Sequence, residues 1–283
     1  MATGLSLHLG LNQVDAARYG GWDGVLVACE NDADDMARLA GEAGFEGTTL
    51  LTSESTVKNV TAELRKAAKK LKRGDILLFT YSGHGGQVPN VDGSDDEPDE
   101  FDETLVFYDR EFLDDELHRE FARFAQGVRI VALLDCCHSG TGIEVREVLS
   151  PEAMEEQFQT RDPQQIENTA RLMPVVQQHE VYERDKEFFQ ELQRDLAADK
   201  SRAAEADALL ISACQDNQLA SDGAVNGKFT ATLLDVWDGG SFRGGYRAFH
   251  RDILRNMPPT QSPNLYLAGR PADVFLEQRP FTV

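Results

Sequence analysis

The feature that most constrains this chain is a set of short, continuous apolar runs: "DILLFTY" at 75–81, "RIVALLD" at 129–135 and "ALLISA" at 208–213. Runs of this length that are apolar on every position, rather than on alternate ones, belong to strands covered on both faces, as in parallel sheets. Helical patterns lie between them. "LSLHLGL" is followed by the helix "NDADDMARLAGEAG", the strand "TTLLT", the helix "TVKNVTAELRKAAKKL" and then the run at 75–81. The series continues through the strand "ETLVFYD", the helix "DDELHREFARFA", the runs at 129–135 and 208–213, and the helical "NGKFTATLLDVWDG". This alternation predicts βαβ units and hence an α/β fold, a mostly parallel central sheet with helices on both faces.

Two segments break the alternation. Residues 90–116, "NVDGSDDEPDEFDETLVFYDREFLDDE", crowd acids into a loop containing Gly and Pro. Residues 144–205 are highly charged and carry no strand signal, but "EVYERDKEFFQELQRDLAADK" places Val181, Phe188, Leu192 and Leu196 at helical spacing with Phe189 beside them. The reading is one domain over 1–283. Its first part (1–143) and last part (206–283) share a sheet, and 144–205 forms a charged, partly helical insertion.

The formal net charge of -21 disfavours nucleic acid and anionic membrane as partners and favours basic peptides and divalent cations. The four cysteines show no C-x-x-C pair, and no apolar run approaches a membrane span. "MATGLSLHLGLNQ" lacks the basic region and apolar block of a signal peptide, so the expected setting is a reducing cytoplasm and the expected state a monomer.

Two strands end in chemically suggestive turns: "YSGHGGQ" after the run at 75–81, and "DCCHSG" after the run at 129–135. In an open parallel sheet the carboxyl ends of the strands line one rim, where ligands bind. Strand alternation gives Asp135 and Cys137 one orientation and directs Cys136 into packing. His138 is adjacent to Cys137 in the chain and poorly placed to take its proton. His84, flanked by Gly83, Gly85 and Gly86 in what reads as an exposed turn, is the better base.

These two motifs, together with "ACENDADDM", "DGSDDEPDEFDETLVFYD" and "ISACQDNQLASD" in the same order, resemble the caspase-like cysteine peptidases, in particular the metacaspases and their prokaryotic relatives, the orthocaspases. The resemblance covers nearly all the chain except the insertion and implies the caspase-like α/β/α sandwich. It implies Cys137 as nucleophile and His84 as general base, with the N–H groups of Gly85 and Cys137 as the oxyanion hole, each donor worth about 3 kcal/mol to the transition state. No third carboxylate is required if the thiol is largely thiolate beside His84.

The family's pocket for the residue before the cut maps onto Cys29, Asp32, Ser82 and Asp135. Two carboxylates there imply cleavage of protein or peptide substrates after Arg or Lys, since a guanidinium pairs with carboxylates bidentately and an ammonium as a point charge. Calcium, the one cofactor the resemblance suggests, maps onto Asp102, Asp114, Asp115 and Glu144. Within the insertion Arg146, Arg161, Arg171, Arg184, Lys186, Arg194, Lys200 and Arg202 are candidate processing sites, cut by the same molecule or by an upstream protease. The competing readings are a catalytically silent caspase-fold scaffold that uses its acidic surface to hold calcium or a basic partner, and a small-molecule thiol hydrolase.

Overall fold

The computed structural model describes residues 2–90, 101–137, 170–199, 206–214, 219–268 and 273–283. Strands β1 (Gly4–Gly10), β2 (Glu46–Leu51), β3 (Ile76–Ser82), β7 (Arg129–Asp135), β8 (Asp207–Ser212) and β9 (Asn264–Ala268) form one six-stranded sheet in the order β2-β1-β3-β7-β8-β9. All pairs are parallel except β8 with β9 at the edge. Every residue of β3 is buried, which is why its sequence is apolar throughout rather than alternating.

Helices α1 (Cys29–Glu42), α2 (Val57–Lys70), α3 (Asp114–Phe121), α5 (Lys228–Trp237), α6 (Tyr246–Asn256) and α7 (Asp273–Glu277) accompany the sheet. Two apolar cores result. One gathers Leu78, Val131, Leu133, Leu209 and Ile211 with Met36, Phe229 and Phe249. The other gathers Leu77, Phe79, Ile130, Ala132 and Leu134 with Val60, Leu64, Leu117 and Phe121. Odd and even positions of β3 and β7 thus feed opposite cores, the pleat periodicity made visible. Local signals fix the helix ends: the Thr56 side chain accepts from Asn59 N at the start of α2, and Lys69 and Lys70 occupy its last turn.

Two expectations change. The segment "ETLVFYD" does not join the main sheet. It lies in β5 (Phe101–Val106), the centre of a separate antiparallel sheet with β4 (Gly85–Pro89) and β6 (Glu111–Leu113). The glycine turn after β3 is not exposed either, because residues 83–88 are all buried and run straight into β4.

From the insertion the described residues include one long helix, α4 (Val175–Asp199), interrupted by non-helical backbone at Asp185. It packs through Val181, Tyr182, Phe189 and Leu196 onto Val14, Tyr19, Val88, Val106 and Leu113. Phe188, expected on the buried face, is 44% exposed. Tyr182, Phe189 and Leu196, seven residues apart, carry the buried stripe, and Phe188, one residue before Phe189, falls about 100° to its side. Each such apolar side chain contributes about 1.5–3 kcal/mol on burial, so α4 is firmly docked. Among the described residues no helix is long and apolar enough to cross a membrane.

Candidate active site

β3 and β7 are neighbours in register, with Ser82 opposite Asp135, so the turns that follow them meet at one rim of the sheet. There His84 and Cys137 sit within the folded interior, 2% and 0% exposed. The closeness of the two turns is enforced by backbone: a Cβ built on Gly85 would lie 1.6 Å from the Cys137 carbonyl oxygen. Only glycine fits there.

His84 Nε2 lies 3.1 Å from the Gly24 carbonyl oxygen, and the Trp22 ring packs on the imidazole at 4.8 Å between centroids. A carbonyl only accepts, so Nε2 carries the proton and Nδ1 presents its lone pair. Nδ1 has no hydrogen-bond partner among the described residues. Burial holds the His84 pKa down to about 4, against small opposing contributions from Gly24 and Asp222. The imidazole is therefore neutral and able to accept a proton.

The thiol differs from expectation. Cys137 Sγ accepts from Ala220 N at 2.9 Å and donates toward Ala220 O at 3.5 Å. Burial, reinforced by the neighbouring Cys214, pushes its pKa up. A thiolate paired with His84 is thus not what this state holds. The sulfur is protonated and engaged with Ala220, because the site is closed to water and the imidazole is neutral. Cys136 points to the opposite face and packs in the core with Tyr81 and Leu134. His138 lies outside the described residues.

What closes the site is a segment of the chain itself. Arg171 N donates to Ala220 O at 3.0 Å, while the Arg171 carbonyl oxygen accepts from Gly85 N at 3.0 Å and from Cys137 N at 3.1 Å. Met173 N continues the contact, donating to Gly85 O at 2.8 Å. Ala170 bridges antiparallel to Ser221, and Leu172 parallel to Gly85. These are the two N–H groups assigned to the oxyanion hole, and a peptide carbonyl occupies them.

The Arg171 side chain is fully buried among the pocket residues. Its Nη1 donates to Ser82 Oγ at 2.8 Å and to the Asp135 carbonyl at 3.0 Å, and lies 3.0 Å from Asp135 Oδ1. Its Nη2 donates to Asp32 Oδ2 and Asp222 Oδ1, both at 2.8 Å. Asp32 is in the first turn of α1, where the helix dipole favours an acid, and it also accepts from Ser82 Oγ, Asn226 Nδ2 and Gly227 N. Asp135 Oδ2 accepts from Thr230 N and Thr230 Oγ1 in the first turn of α5. Burial raises the Asp135 pKa to about 6 against the opposing pull of Arg171. Cys29 lines the pocket as a neutral thiol, its pKa raised by burial.

The structure therefore brings Cys29, Asp32, Ser82, His84, Gly85, Asp135 and Cys137 to one place. Sequence reasoning missed Trp22, Gly24, Asp222 and Gly227. A Cβ on Gly227 would lie 2.5 Å from Arg171 Nη2, so this glycine leaves the room the guanidinium fills. The only signal was its place before a helical pattern in "VNGKFT".

The residues mapped to calcium are a different matter. Asp102 is buried and accepts from Gln193 Nε2 of α4 at 2.9 Å. Asp114 is held well above the usual carboxylate range by burial and by the neighbouring Asp115 and Glu103. Among the described residues no three His, Cys, Asp or Glu side chains converge on a point where a metal ion would sit. As placed, these acids do not fit calcium, which takes six to eight oxygens. Glu144 lies outside the described residues. Of the eight basic candidates, Arg146, Arg161, Lys200 and Arg202 do too. Arg184 and Lys186 form exposed ion pairs with Asp185 and Glu183, and Arg194 has an exposed side chain on α4.

A Cys–His pair at the rim of a six-stranded, mostly parallel sheet, with two N–H groups aimed at one carbonyl oxygen, defines a protein of the caspase fold carrying a cysteine-peptidase type of site. The family model for the caspase domain matches residues 14–275, and the chain belongs to that family. It is 27% identical over 262 residues to Metacaspase-1 of Coccidioides immitis, covering 81% of this chain and 52% of that protein. It is 28% identical over 267 residues to Metacaspase-1A of Aspergillus oryzae, covering 81% and 58%. The chain thus spans little more than half the length of these relatives. A Geobacter sulfurreducens protein of known crystal structure matches with a TM-score of 0.84 and 44% identity over 99% of both chains. Caspase-1 of Spodoptera frugiperda, at 13% identity and a TM-score of 0.54 over 94% of this chain and 86% of that one, shares the fold.

Proposed function

We propose that this chain is a cysteine endopeptidase that cuts proteins after arginine or lysine, and that 170–173 lies in its cleft as a tethered substrate. The observation that carries the reading is Arg171, whose guanidinium fills the acid pocket while its carbonyl oxygen rests on Gly85 N and Cys137 N. The bond so presented is Arg171–Leu172. Of the eight basic residues of the insertion, Arg171 is the processing site that the contacts favour.

In the reaction the Cys137 thiol gives its proton to His84 Nδ1 as sulfur bonds to the carbonyl carbon of the residue in the pocket. The carbonyl oxygen becomes an oxyanion on the two N–H donors, which are already 3.0 and 3.1 Å from it. His84 then protonates the leaving amine, and the C–N bond breaks to leave a thioester. Water, deprotonated by the same nitrogen, hydrolyses it. Gly24 holds the ring in the tautomer this needs, the part a carboxylate plays in other triads. Attack requires the sulfur to leave the Ala220 amide. The state seen here is thus a resting one, in which α4 and Arg171 restrain the site until the insertion is cut or displaced.

A silent scaffold with a permanent internal plug would share this closed geometry, so activity must decide. Fluorogenic peptides ending in Arg, Lys or Asp are incubated with the parent protein, Cys137→Ala and Cys136→Ala, and cleavage of the chain is mapped by mass spectrometry. Turnover of the basic peptides is expected with the parent and Cys136→Ala, and cleavage between Arg171 and Leu172 in the parent. Cys137→Ala should lose both, by roughly 10⁴-fold or more. No turnover of a basic peptide even after deliberate cleavage of the insertion would defeat the reading, as would turnover of the Asp peptide alone.

A further inference from the structure

Asp222 has no part in the chemistry described above, yet its side chain is completely buried and both of its oxygens are committed. Oδ1 accepts from Arg171 Nη2 at 2.8 Å, and Oδ2 accepts from Val27 N at 2.8 Å. It reaches the pocket from the last part of the chain, opposite Asp32 in α1, and the two carboxylates share one nitrogen, Nη2. Ser82 and Asp135 serve the other nitrogen, Nη1.

We infer that Asp222 is a third carboxylate of the specificity pocket and the one that makes it select arginine over lysine. This rests on the reading of the pocket as the binding site for a basic side chain. The reason is geometric. The donors that meet Asp32 and Asp222 are on a terminal nitrogen of a planar fork, and a lysine ammonium ends one bond earlier, where the central guanidinium carbon lies. From there it can favour one carboxylate or sit between two, but it does not reach all three at hydrogen-bond distance as the fork does. Gly227 sharpens the fit, since a Cβ there would meet both terminal nitrogens and the central carbon of the guanidinium within 2.6 Å. Asp222 is also tied to the loop of the base: its partner Val27 is three residues from Gly24, which holds His84.

Asp222→Asn suits the test because the amide keeps an oxygen for Val27 N while removing the charge from Nη2. Asp222→Glu, which keeps the charge and alters its reach, guards against misreading a general loss of structure. Both are placed in an Arg171→Ala chain, whose pocket is open. Binding of N-acetyl-arginine amide and N-acetyl-lysine amide is measured by calorimetry, and kcat/KM is measured on matched Arg and Lys peptides.

Arg171→Ala should bind the arginine amide at least ~10-fold tighter than the lysine amide. Asp222→Asn should weaken arginine binding roughly 30- to 100-fold, weaken lysine binding much less, and bring the two within about threefold. Asp222→Glu should fall between. An arginine-to-lysine ratio unchanged by Asp222→Asn, or an equal loss for both ligands, would overturn the assignment. Asp222-dependent binding of arginine without turnover of any peptide, even after deliberate cleavage of the insertion, would leave the pocket inference standing and defeat the peptidase reading. Turnover of both peptides indifferent to Asp222 would do the reverse.

Discussion

Among the described residues, two groups of buried and half-buried acids stand in different electrostatic settings. In the pocket, Asp32, Asp135 and Asp222 surround a guanidinium and are further served by backbone N–H groups of α5 and of the Val27 loop. At the edge of the small sheet, Asp102, Glu103, Glu111, Asp114 and Asp115 are gathered along β5, β6 and the start of α3. There burial raises the Glu111 pKa to about 8 and holds Asp114 well above the usual range. Three acids of like charge are tolerable in the pocket only because a cation with five donors lies among them. In the second group burial makes Glu111 and Asp114 hold their protons more tightly. One region is built to receive a cation, and the other is packed as it stands.

Removing the cation breaks the comparison most forcefully. Arg171→Ala leaves three buried carboxylates without their partner, and a loss of about 3–5 kcal/mol in unfolding free energy is expected at neutral pH. Denaturant unfolding measures it. Arginine amide should restore part of the loss by mass action. A stability equal to the parent's would mean that the pocket solvates its acids without help.

The second region predicts a smaller effect with a defined sign. Glu111 has a folded pKa of about 8, above its unfolded value near 4.5. Its contribution is therefore complete below the unfolded value and is lost as pH rises through the folded one. Glu111→Gln removes that titration: one carboxyl oxygen accepts from Thr104 Oγ1 at 3.0 Å while the other has no partner among the described residues, and an amide oxygen can keep the Thr104 bond. The parent should lose stability relative to the variant between about pH 5 and pH 9. Thermal unfolding across that range would show parallel profiles if Glu111 did not carry the effect.

How much of this was legible in the sequence depended on where each residue sits in the chain. Continuous apolar runs announced the parallel strands, and strand-end glycines announced the turns carrying His84 and Cys137. The pocket residues Asp32, Ser82 and Asp135 came from the family resemblance, and Asp222 was in view as the last letter of "ISACQDNQLASD". It could not be assigned, because its role depends on a guanidinium arriving from another segment. Arg171 was one of eight basic residues, and spacing does not say which enters a pocket. The buried face of α4 was misread at Phe188 because the adjacent Phe188 and Phe189 both fit an apolar stripe, and only the packing of Tyr182, Phe189 and Leu196 on the small sheet decides between them. The acidity of Cys137 could not be read from the motif, because it depends on a rotamer and on burial.

The smallest effect tests whether the second acid group also takes a cation. Gln193 of α4 occupies Asp102, and no three acids converge among the described residues, so calcium should leave the resting protein nearly unchanged. A thermal shift below about 1 °C at millimolar calcium corresponds to a few tenths of a kcal/mol for a domain of this size. The informative control is Gln193→Ala, which frees Asp102 without touching the Cys–His pair. If calcium stabilises that variant and Asp114→Asn cancels the gain, the two acid groups differ only in that α4 covers one of them. If it does not, these acids are no cation site as placed, and among the described residues it is the pocket around Arg171 where negative charge is organised to bind a cation.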